Sequence, residues 1–382
     1  MTLIARANFN GVSFYLGDLL LSRKGKSGDA IDIPAANDIN KLLPESSMRH
    51  VSGMVQKLNI LSDRLIVAWA GSRSQAHTMI RELSELDRSA TTLFRADIEK
   101  LIMGVPENDR DELSLIGSVC LPNYKQEGDL YIEHFSYRTT KCTRPGEVIH
   151  VAGSGADDLI NLMPRIVNDR PPPSNIDEGL YEWVKQTAIG TLGQFVGQEM
   201  LLGHNLPNWW GGAFETAVIE DQAFKKIKDT LFTFWRLLPD ESGEFLHLGL
   251  IPKFLKYDYF EDVLIVQKLD SEITCDEKLK IVSHDCRLYL PIHRTLKGEY
   301  DFSQITFPTL EPTTLCCFTL FNNNGNIKCG NRIYHGASNM PFRAVILEED
   351  IALSFHDQLF EGLVKDGQQA TGMPVKFTHL GH

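Results

Sequence analysis

The first eighteen residues constrain the fold most, because they have the pattern of a β-hairpin that begins almost at residue 1. Small and apolar residues alternate up to Asn10-Gly11, a dipeptide typical of two-residue hairpin turns, and a second β-prone run ends at Gly17-Asp18. Thr2 follows Met1 directly. If Met1 is removed, Thr2 becomes the first residue and carries a free α-amino group beside its own hydroxyl.

An N-terminal threonine combines a nucleophile and a base in one residue. Its hydroxyl is a weak nucleophile until a base takes the proton, and an α-amino group with a pKa of about 8 suits that task near neutral pH. A nearby positive charge favours the neutral form of the amine. A site of this kind therefore needs a lysine that is itself held by a carboxylate, and Lys57 and Asp18 are the candidates.

Several motifs at fixed spacing resemble those of the proteasome-type N-terminal nucleophile hydrolases, the family of the proteasome β subunits and the bacterial HslV peptidase. Asp18 stands sixteen residues after Thr2 in a Gly-Asp pair, where the family keeps its lysine-binding aspartate. Lys57 precedes Ala70-Gly71-Ser72 by thirteen residues, which is similar to the family's lysine and its oxyanion-forming glycine. Gly153-Ser154-Gly155 resembles the turn that carries the family's serine beside the nucleophile.

The resemblance covers about residues 2–238 and implies both a fold and a mechanism. The implied fold is α+β, a four-layer αββα sandwich with helices on both outer faces of two packed sheets. The implied mechanism is attack of the Thr2 hydroxyl on a peptide or amide bond, with Lys57, held by Asp18, keeping the α-amine neutral. The backbone N–H of Gly71 would bind the oxyanion, and Ser154 would hydrogen-bond beside the nucleophile.

Hydrophobic periodicity predicts helices that agree with this order of elements. After the early strands, apolar residues recur with a period of about 3.6 over 76–86 and 93–102. A long helix is predicted over about 177–203, following the prolines at 171–173.

One segment departs from the family pattern. Where the family has Asp-x-x-Ser-Gly-Gly before its last strands, only Gly211 and Gly212 match, while Pro207 stands at the aspartate position and Trp210 at the serine position. This change favours a second hypothesis, a catalytically inactive scaffold or binding protein that acts through its insertion and C-terminal domain. A third, an amidase for a small amide, is not separated from a peptidase by the sequence.

The length of 382 residues predicts two domains. The first is expected over 1–240, with an insertion at about 22–50 on a loop, because the family connects its aspartate and lysine more directly. The second, over 241–382, is expected to be a smaller α+β domain of unknown family. It contains short β-prone runs, a hairpin signal at Asn324-Gly325 and a helical pattern over about 349–364.

Charge and composition exclude several partners. A net charge of −12 without a basic stripe argues against nucleic acid and against anionic membranes, and the basic cluster Arg23, Lys24 and Lys26 is expected to be a solvated face. The sequence has no apolar run long enough for a membrane span and no secretory signal pattern, and its seven cysteines lack framework spacing. We therefore expect a cytoplasmic protein. The resemblance implies a peptide or protein substrate and a homo-oligomer, and the C-terminal domain is a candidate contact for a protein partner.

The cysteines and histidines do not predict a metal site. Cys316, Cys317, Cys329 and His335 invite comparison with zinc ligands, but adjacent cysteines in a strand point to opposite faces and no CxxC pair is present. Buried thiols are the favoured interpretation. His284 and Cys286 lack an orienting partner for a nucleophile and base pair. No metal and no cofactor is expected.

Overall fold

The computed structural model describes residues 2–25, 31–34, 39, 49–122, 130–173, 179–202, 205–273, 279–292, 311–323, 326–336, 340–347 and 350–377. Backbone contacts divide the chain into two compact units. Unit 1 contains the described residues of Met1–Leu192, Gly203–Ile227 and Tyr289–Tyr300, and unit 2 contains those of Gly193–Leu202, Lys228–Leu288 and Asp301–His382. Each unit is built around its own large sheet.

The larger sheet of unit 1 has six strands in the order β12-β11-β2-β1-β10-β9. Its strands are β1 (Ile4–Phe9), β2 (Val12–Asp18), β9 (Thr140–Arg144), β10 (Glu147–Ala152), β11 (Phe214–Glu220) and β12 (Ala223–Lys226). The predicted hairpin is confirmed, because β1 and β2 pair antiparallel across a turn in which Asn10 and Gly11 both have positive φ. The hairpin occupies the centre of the sheet.

A second sheet of unit 1 has four antiparallel strands, β5 (Leu58–Ser62), β6 (Leu65–Gly71), β7 (Leu113–Pro122) and β8 (Leu130–Tyr137). One buried cluster joins residues of both sheets, among them Ile4, Tyr15, Ile66, Ile116 and Ala217. The two sheets therefore pack face to face through apolar side chains. A short pair, β3 (Leu20–Lys24) and β4 (Arg49–Met54), flanks the predicted insertion, most of which lies outside the described residues.

The helices α1 (Arg73–Ser89) and α2 (Arg95–Gly104) confirm the two predicted helical patterns. Their apolar faces pack on the four-stranded sheet in a cluster that includes Trp69, Ile80 and Ile98. The helix α3 (Ala156–Asp169) follows β10, and α4 (Leu180–Leu202) confirms the predicted long helix over its described part. Trp183 of α4 packs edge-on against Phe9 of β1.

Unit 2 is organised around a ten-stranded sheet. Its strands are β13 (Thr230–Pro239), β14 (Leu246–Leu248), β15 (Lys253–Phe260), β16 (Val263–Ile273), β17 (Leu279–Tyr289), β18 (Thr314–Asn323), β19 (Asn326–His335), β20 (Phe342–Leu347), β21 (Asp350–Phe355) and β22 (Val375–Lys376). The residues Asn324-Gly325 lie outside the described part, but the strands on either side pair antiparallel with Asn323 opposite Asn326. The helix α5 (Asp357–Thr371) packs on β18 and β19.

The predicted helix over about 349–364 is wrong in its first part, because residues 350–355 form β21. Ile351, Leu353 and Phe355 alternate with a period of two, and this strand pattern runs directly into the helical pattern that follows. The helix begins after His356, whose side chain accepts a hydrogen bond from the backbone N–H of Gln358.

The predicted α+β fold, a four-layer αββα sandwich with a smaller appended α+β domain, is wrong. The described chain is mostly β, with large curled sheets and five helices. The main reason lies in the second half of the sequence. There β13 pairs with β15 and β18 in the ten-stranded sheet, where strand pairing extends far beyond the short β-runs that were expected.

Candidate active site

Thr2, Asp18 and Lys57 meet at the end of the β1–β2 hairpin. The Lys57 ammonium donates hydrogen bonds to Thr2 Oγ, to Asp18 Oδ1 at 2.5 Å and to the carbonyl oxygen of Leu20 at 2.6 Å. The Thr2 hydroxyl donates to the same Asp18 oxygen. Since none of the three side chains is more than 1% exposed, this is a buried ion pair with a hydroxyl between its members. All three ammonium donors have acceptors.

Backbone groups at the end of β2 fix the Asp18 carboxylate. The backbone N–H of Asp18 donates to the carbonyl oxygen of Leu3 at 2.9 Å, and the N–H of Leu3 donates to Asp18 Oδ1 at 3.0 Å. The backbone N–H of Gly211 donates to Oδ2 at 2.7 Å. Both carboxylate oxygens are therefore held by the backbone, and Oδ1 is aimed at Thr2 and Lys57.

Glu215 of β11 fixes the backbone at Lys57. Its Oε1 accepts hydrogen bonds from the N–H groups of Lys57 at 2.7 Å and Leu58 at 2.6 Å, and its Oε2 pairs with the ammonium of Lys226. The carbonyl oxygen of Lys57 accepts from the N–H of Trp69 at 3.0 Å. Glu215 was not predicted from the sequence, where it stands in a strand that also contains Thr216 and a second glutamate, Glu220.

Burial shifts the proton affinities of this group. It lowers the pKa of Lys57, because the interior disfavours the ammonium form, while attraction to Asp18 opposes that shift. Burial also raises the pKa of Glu215, and the ammonium of Lys226 opposes it. The hydrogen bonds that Lys57 donates are those of its ammonium form, and the ion pair with Asp18 favours that form.

The turn Gly153-Ser154-Gly155 lies beside the backbone of Thr2. The N–H of Gly155 donates to the Thr2 carbonyl oxygen at 3.2 Å. Gly153 has a φ of +99°, and a Cβ built there would stand 1.9 Å from the same oxygen, so only glycine fits. Ser154 is exposed, and its hydroxyl makes no hydrogen bond to Thr2 in the described structure. Its supporting role stays a prediction.

Gly71 ends β6, the strand that also carries Trp69. It pairs with Leu113 of β7, has a φ of +104°, and a Cβ there would stand 1.7 Å from the carbonyl oxygen of Glu112. The backbone path thus requires glycine at this position. Trp69, whose backbone N–H bonds to the Lys57 carbonyl oxygen, stands two residues before Gly71 in β6. The role of Gly71 as oxyanion donor stays a prediction.

Trp210 fills the space beside the Gly153-Ser154-Gly155 turn. Its indole N–H donates to Asp158 Oδ2 at 3.0 Å, and a Cβ at Gly155 would stand 2.7 Å from its ring. Pro207 lies in a short 3₁₀ turn, Leu206–Asn208. The segment therefore supports the site through the backbone N–H of Gly211 and differs from the family pattern in its side chains.

The cysteine candidates at 316 and 317 belong to unit 2, whereas Thr2, Asp18 and Lys57 belong to unit 1. Cys316 and Cys317 are both buried in β18. Within the described ranges, no group of three or more His, Cys, Asp or Glu side chains is arranged to hold a metal ion. None of the described helices combines the length and the apolar character needed to cross a membrane.

Comparison of the sequence with models of known protein families gives no match, and comparison with curated proteins gives none either. The functional conclusion therefore depends on the geometry of the residues themselves.

Proposed function

We propose that this protein is a threonine-type N-terminal nucleophile hydrolase that cleaves peptide or amide bonds after Met1 is removed. The observation that supports this most is the contact of the Lys57 ammonium with both Thr2 Oγ and Asp18 Oδ1. These residues are 55 and 39 positions apart from Lys57, so the fold and not local sequence brings them together.

In the proposed reaction, Thr2 Oγ attacks the carbonyl carbon of the scissile bond and its proton passes to the α-amino nitrogen of Thr2. Lys57, oriented by Asp18, keeps that amine neutral. The amine then gives the proton to the leaving nitrogen, and an ester to Thr2 remains. Water hydrolyses the ester with the same amine as base. The backbone N–H of Gly71 is the proposed oxyanion donor, a role worth about 3 kcal/mol in other hydrolases.

The peptide or protein substrate, the homo-oligomeric state and the cytoplasmic location expected from the sequence belong to this proposal. The six cysteines in the described part of the chain are thiols and not disulfides, which supports a reducing compartment.

One observation favours a second function, that of a non-catalytic binding protein. Thr2 is only 1% exposed, and its hydroxyl is already bonded on both sides. In that case the three side chains form a structural ion pair that fixes the hairpin, with no substrate nearby.

The first experiment is the intact mass of the purified protein, since Met1 lies outside the described residues and the proposed mechanism needs a free Thr2 amine. We expect a mass that lacks methionine. Retention of Met1 would contradict the hydrolase proposal and favour the binding protein.

The second experiment compares wild type, Thr2→Ala and Thr2→Ser on a mixture of unstructured peptides, with a covalent β-lactone probe read by mass. We expect wild type and Thr2→Ser to hydrolyse peptides and take the label, whereas Thr2→Ala does neither. Labelling of Thr2→Ala at another residue, or equal hydrolysis by all three proteins, would remove Thr2 from the nucleophile role. The Thr2→Ser variant controls for any disturbance of the cluster.

A further inference from the structure

Arg6 of β1 is a buried cation with unused hydrogen-bond donors. It is only 4% exposed, yet its Nε and Nη1 atoms have no acceptor among the described residues. A buried guanidinium without a counter-charge is unfavourable, because the interior replaces neither the hydration nor the negative charge that it needs. A negatively charged partner that accepts hydrogen bonds from Nε and Nη1 would therefore stabilise this part of the structure.

The neighbours of Arg6 come from four strands of unit 1. Tyr15 of β2 and His150 of β10 lie directly opposite Arg6 in the antiparallel ladders, so the three side chains share one face of the sheet. The Tyr15 hydroxyl donates to Ser118 Oγ of β7 at 2.5 Å, and Ser118 Oγ is 2.6 Å from His134 Nδ1 of β8. These groups form a polar cluster between the two sheets, called the Arg6 pocket below.

Hydrogen bonding sets the tautomer of His134. Because Ser118 accepts from Tyr15, its own hydroxyl is available to donate to His134 Nδ1, which places the ring proton on Nε2. Burial, followed by repulsion from Arg6, lowers the pKa of His134 to about 3 and that of His150 to about 4. Both rings are thus neutral at pH 7, and neither adds a second positive charge there.

No carboxylate of the described chain neutralises this pocket. The groups that act electrostatically on Arg6 and the two histidines include Tyr15, whose raised pKa keeps it neutral at pH 7, and the cations Arg95 and Lys141. The acidic residues nearest in sequence to His134 and His150 have other partners. Glu133 accepts from the backbone N–H of Arg95, and Glu147 pairs with Arg144. The negative partner must therefore come from outside the described chain.

We propose that Arg6 binds a small inorganic anion between the two sheets, with its Nε and Nη1 atoms as the donors. The pocket is separate from the Thr2 site, because Thr2 and Arg6 are four residues apart, which is about 13 Å along an extended strand. A halide and a compact oxyanion share the required chemistry, and the experiment below distinguishes them.

The test is the thermal midpoint of the full-length protein in rising sodium chloride or sodium phosphate, with sodium gluconate as a bulky anion that keeps ionic strength constant. We expect a rise of about 2 °C for each tenfold increase of the bound anion above its dissociation constant. The anion that gives the larger rise identifies the class. Isothermal titration calorimetry of the wild type with each salt gives a second measurement that needs no variant.

The decisive variants are Arg6→Met and Arg95→Met. Arg6→Met should lose the anion-dependent rise and, in gluconate, unfold at the wild-type temperature or above it. Arg95→Met removes an exposed arginine from the same neighbourhood and should keep the rise. Equal responses of Arg6→Met and wild type would show a general salt effect and overturn the proposal. It would also be overturned if neither anion gave a calorimetric signal at concentrations up to about 100 mM.

Discussion

Lys57 and Arg6 are both buried cations of unit 1, but the fold treats them differently. Lys57 has three acceptors, one of them the carboxylate of Asp18. Arg6, on the first strand of the same sheet, has two donor atoms without an acceptor in the described chain. The Lys57 ammonium thus finds all its acceptors within the protein, whereas Arg6 takes its acceptor from the bound anion proposed above.

The two environments also predict opposite responses to loss of the charge. Removing one member of a buried ion pair leaves the other as an uncompensated buried charge, which costs about 3–5 kcal/mol. Removing a buried cation that has no partner leaves no uncompensated charge behind, and an apolar side chain of similar length recovers favourable packing.

The largest expected effect is therefore a contrast between Lys57→Met and Arg6→Met. Lys57→Met should lower the free energy of unfolding by about 3–5 kcal/mol, because Asp18 loses its counter-charge. Arg6→Met should leave it unchanged or raise it. Urea unfolding in a gluconate buffer measures both, with a common slope required for the comparison.

Lys225→Met is the control for this contrast, since Lys225 pairs with Asp221 at an exposed position. It should change the free energy of unfolding far less than Lys57→Met does, because solvent screens an exposed pair. The comparison fails if Arg6→Met destabilises the protein as much as Lys57→Met does, because Arg6 would then have a protein partner of similar strength.

The sequence allowed some of these features to be predicted and not others. The hairpin followed from local chemistry at Asn10-Gly11, and the spacing motifs nominated Thr2, Asp18 and Lys57, which the fold brings together. The roles assigned to them stay predictions. Glu215 could not be nominated, because it meets Lys57 from 158 residues away and belongs to no local pattern.

The fold class was missed for a related reason. Alternating apolar residues predict strands but not the sheet that a strand joins. The apolar residues of β13 do not specify its partner strands, and pairing with β15 and β18 places it in the ten-stranded sheet. The Arg6 pocket was hidden as well, since one arginine in an alternating strand is ordinarily a solvent-facing residue.

Glu215→Gln tests whether Glu215 holds the backbone that carries Lys57. The amide keeps an acceptor for the N–H groups of Lys57 and Leu58 but removes the counter-charge of Lys226. We expect a loss of about 1–3 kcal/mol in the free energy of unfolding. We also expect weaker peptide hydrolysis, if the wild type hydrolyses peptides, because the backbone that carries Lys57 is less firmly held.

Glu220→Gln is the matched control for that substitution, since Glu220 ends the same strand and pairs with Lys185 at an exposed position. It should have little effect on stability or hydrolysis. If both variants behave alike, Glu215 does not position Lys57 and the Lys57 environment is less complete than proposed.

The smallest expected effect concerns pH and the Arg6 pocket. In the folded protein the pKa values of His134 and His150 are about 3 and about 4, below the ordinary value of 6.5, so the unfolded chain binds more protons as pH falls from 6.5 towards 4. Stability must therefore decline across this window. His150→Gln should make the decline shallower in urea unfolding curves at pH 6.5, 5.5 and 4.5, by less than the Glu215→Gln effect.

An anion bound to Arg6 should reduce the loss of stability with falling pH, which tests the difference between Arg6 and Lys57. A negative charge beside Arg6 stabilises the protonated form of the neighbouring histidines, raises their folded pKa values towards 6.5 and so reduces the decline with falling pH. Phosphate or chloride should flatten the wild-type curve relative to gluconate and leave the Arg6→Met curve unchanged. His77→Gln, on α1 and away from the pocket, controls for loss of a histidine. If the anion flattened the curves of wild type and Arg6→Met equally, it would act at a site other than Arg6. The proposed difference between Lys57, which has its acceptors within the protein, and Arg6, which needs a bound anion, would then be wrong.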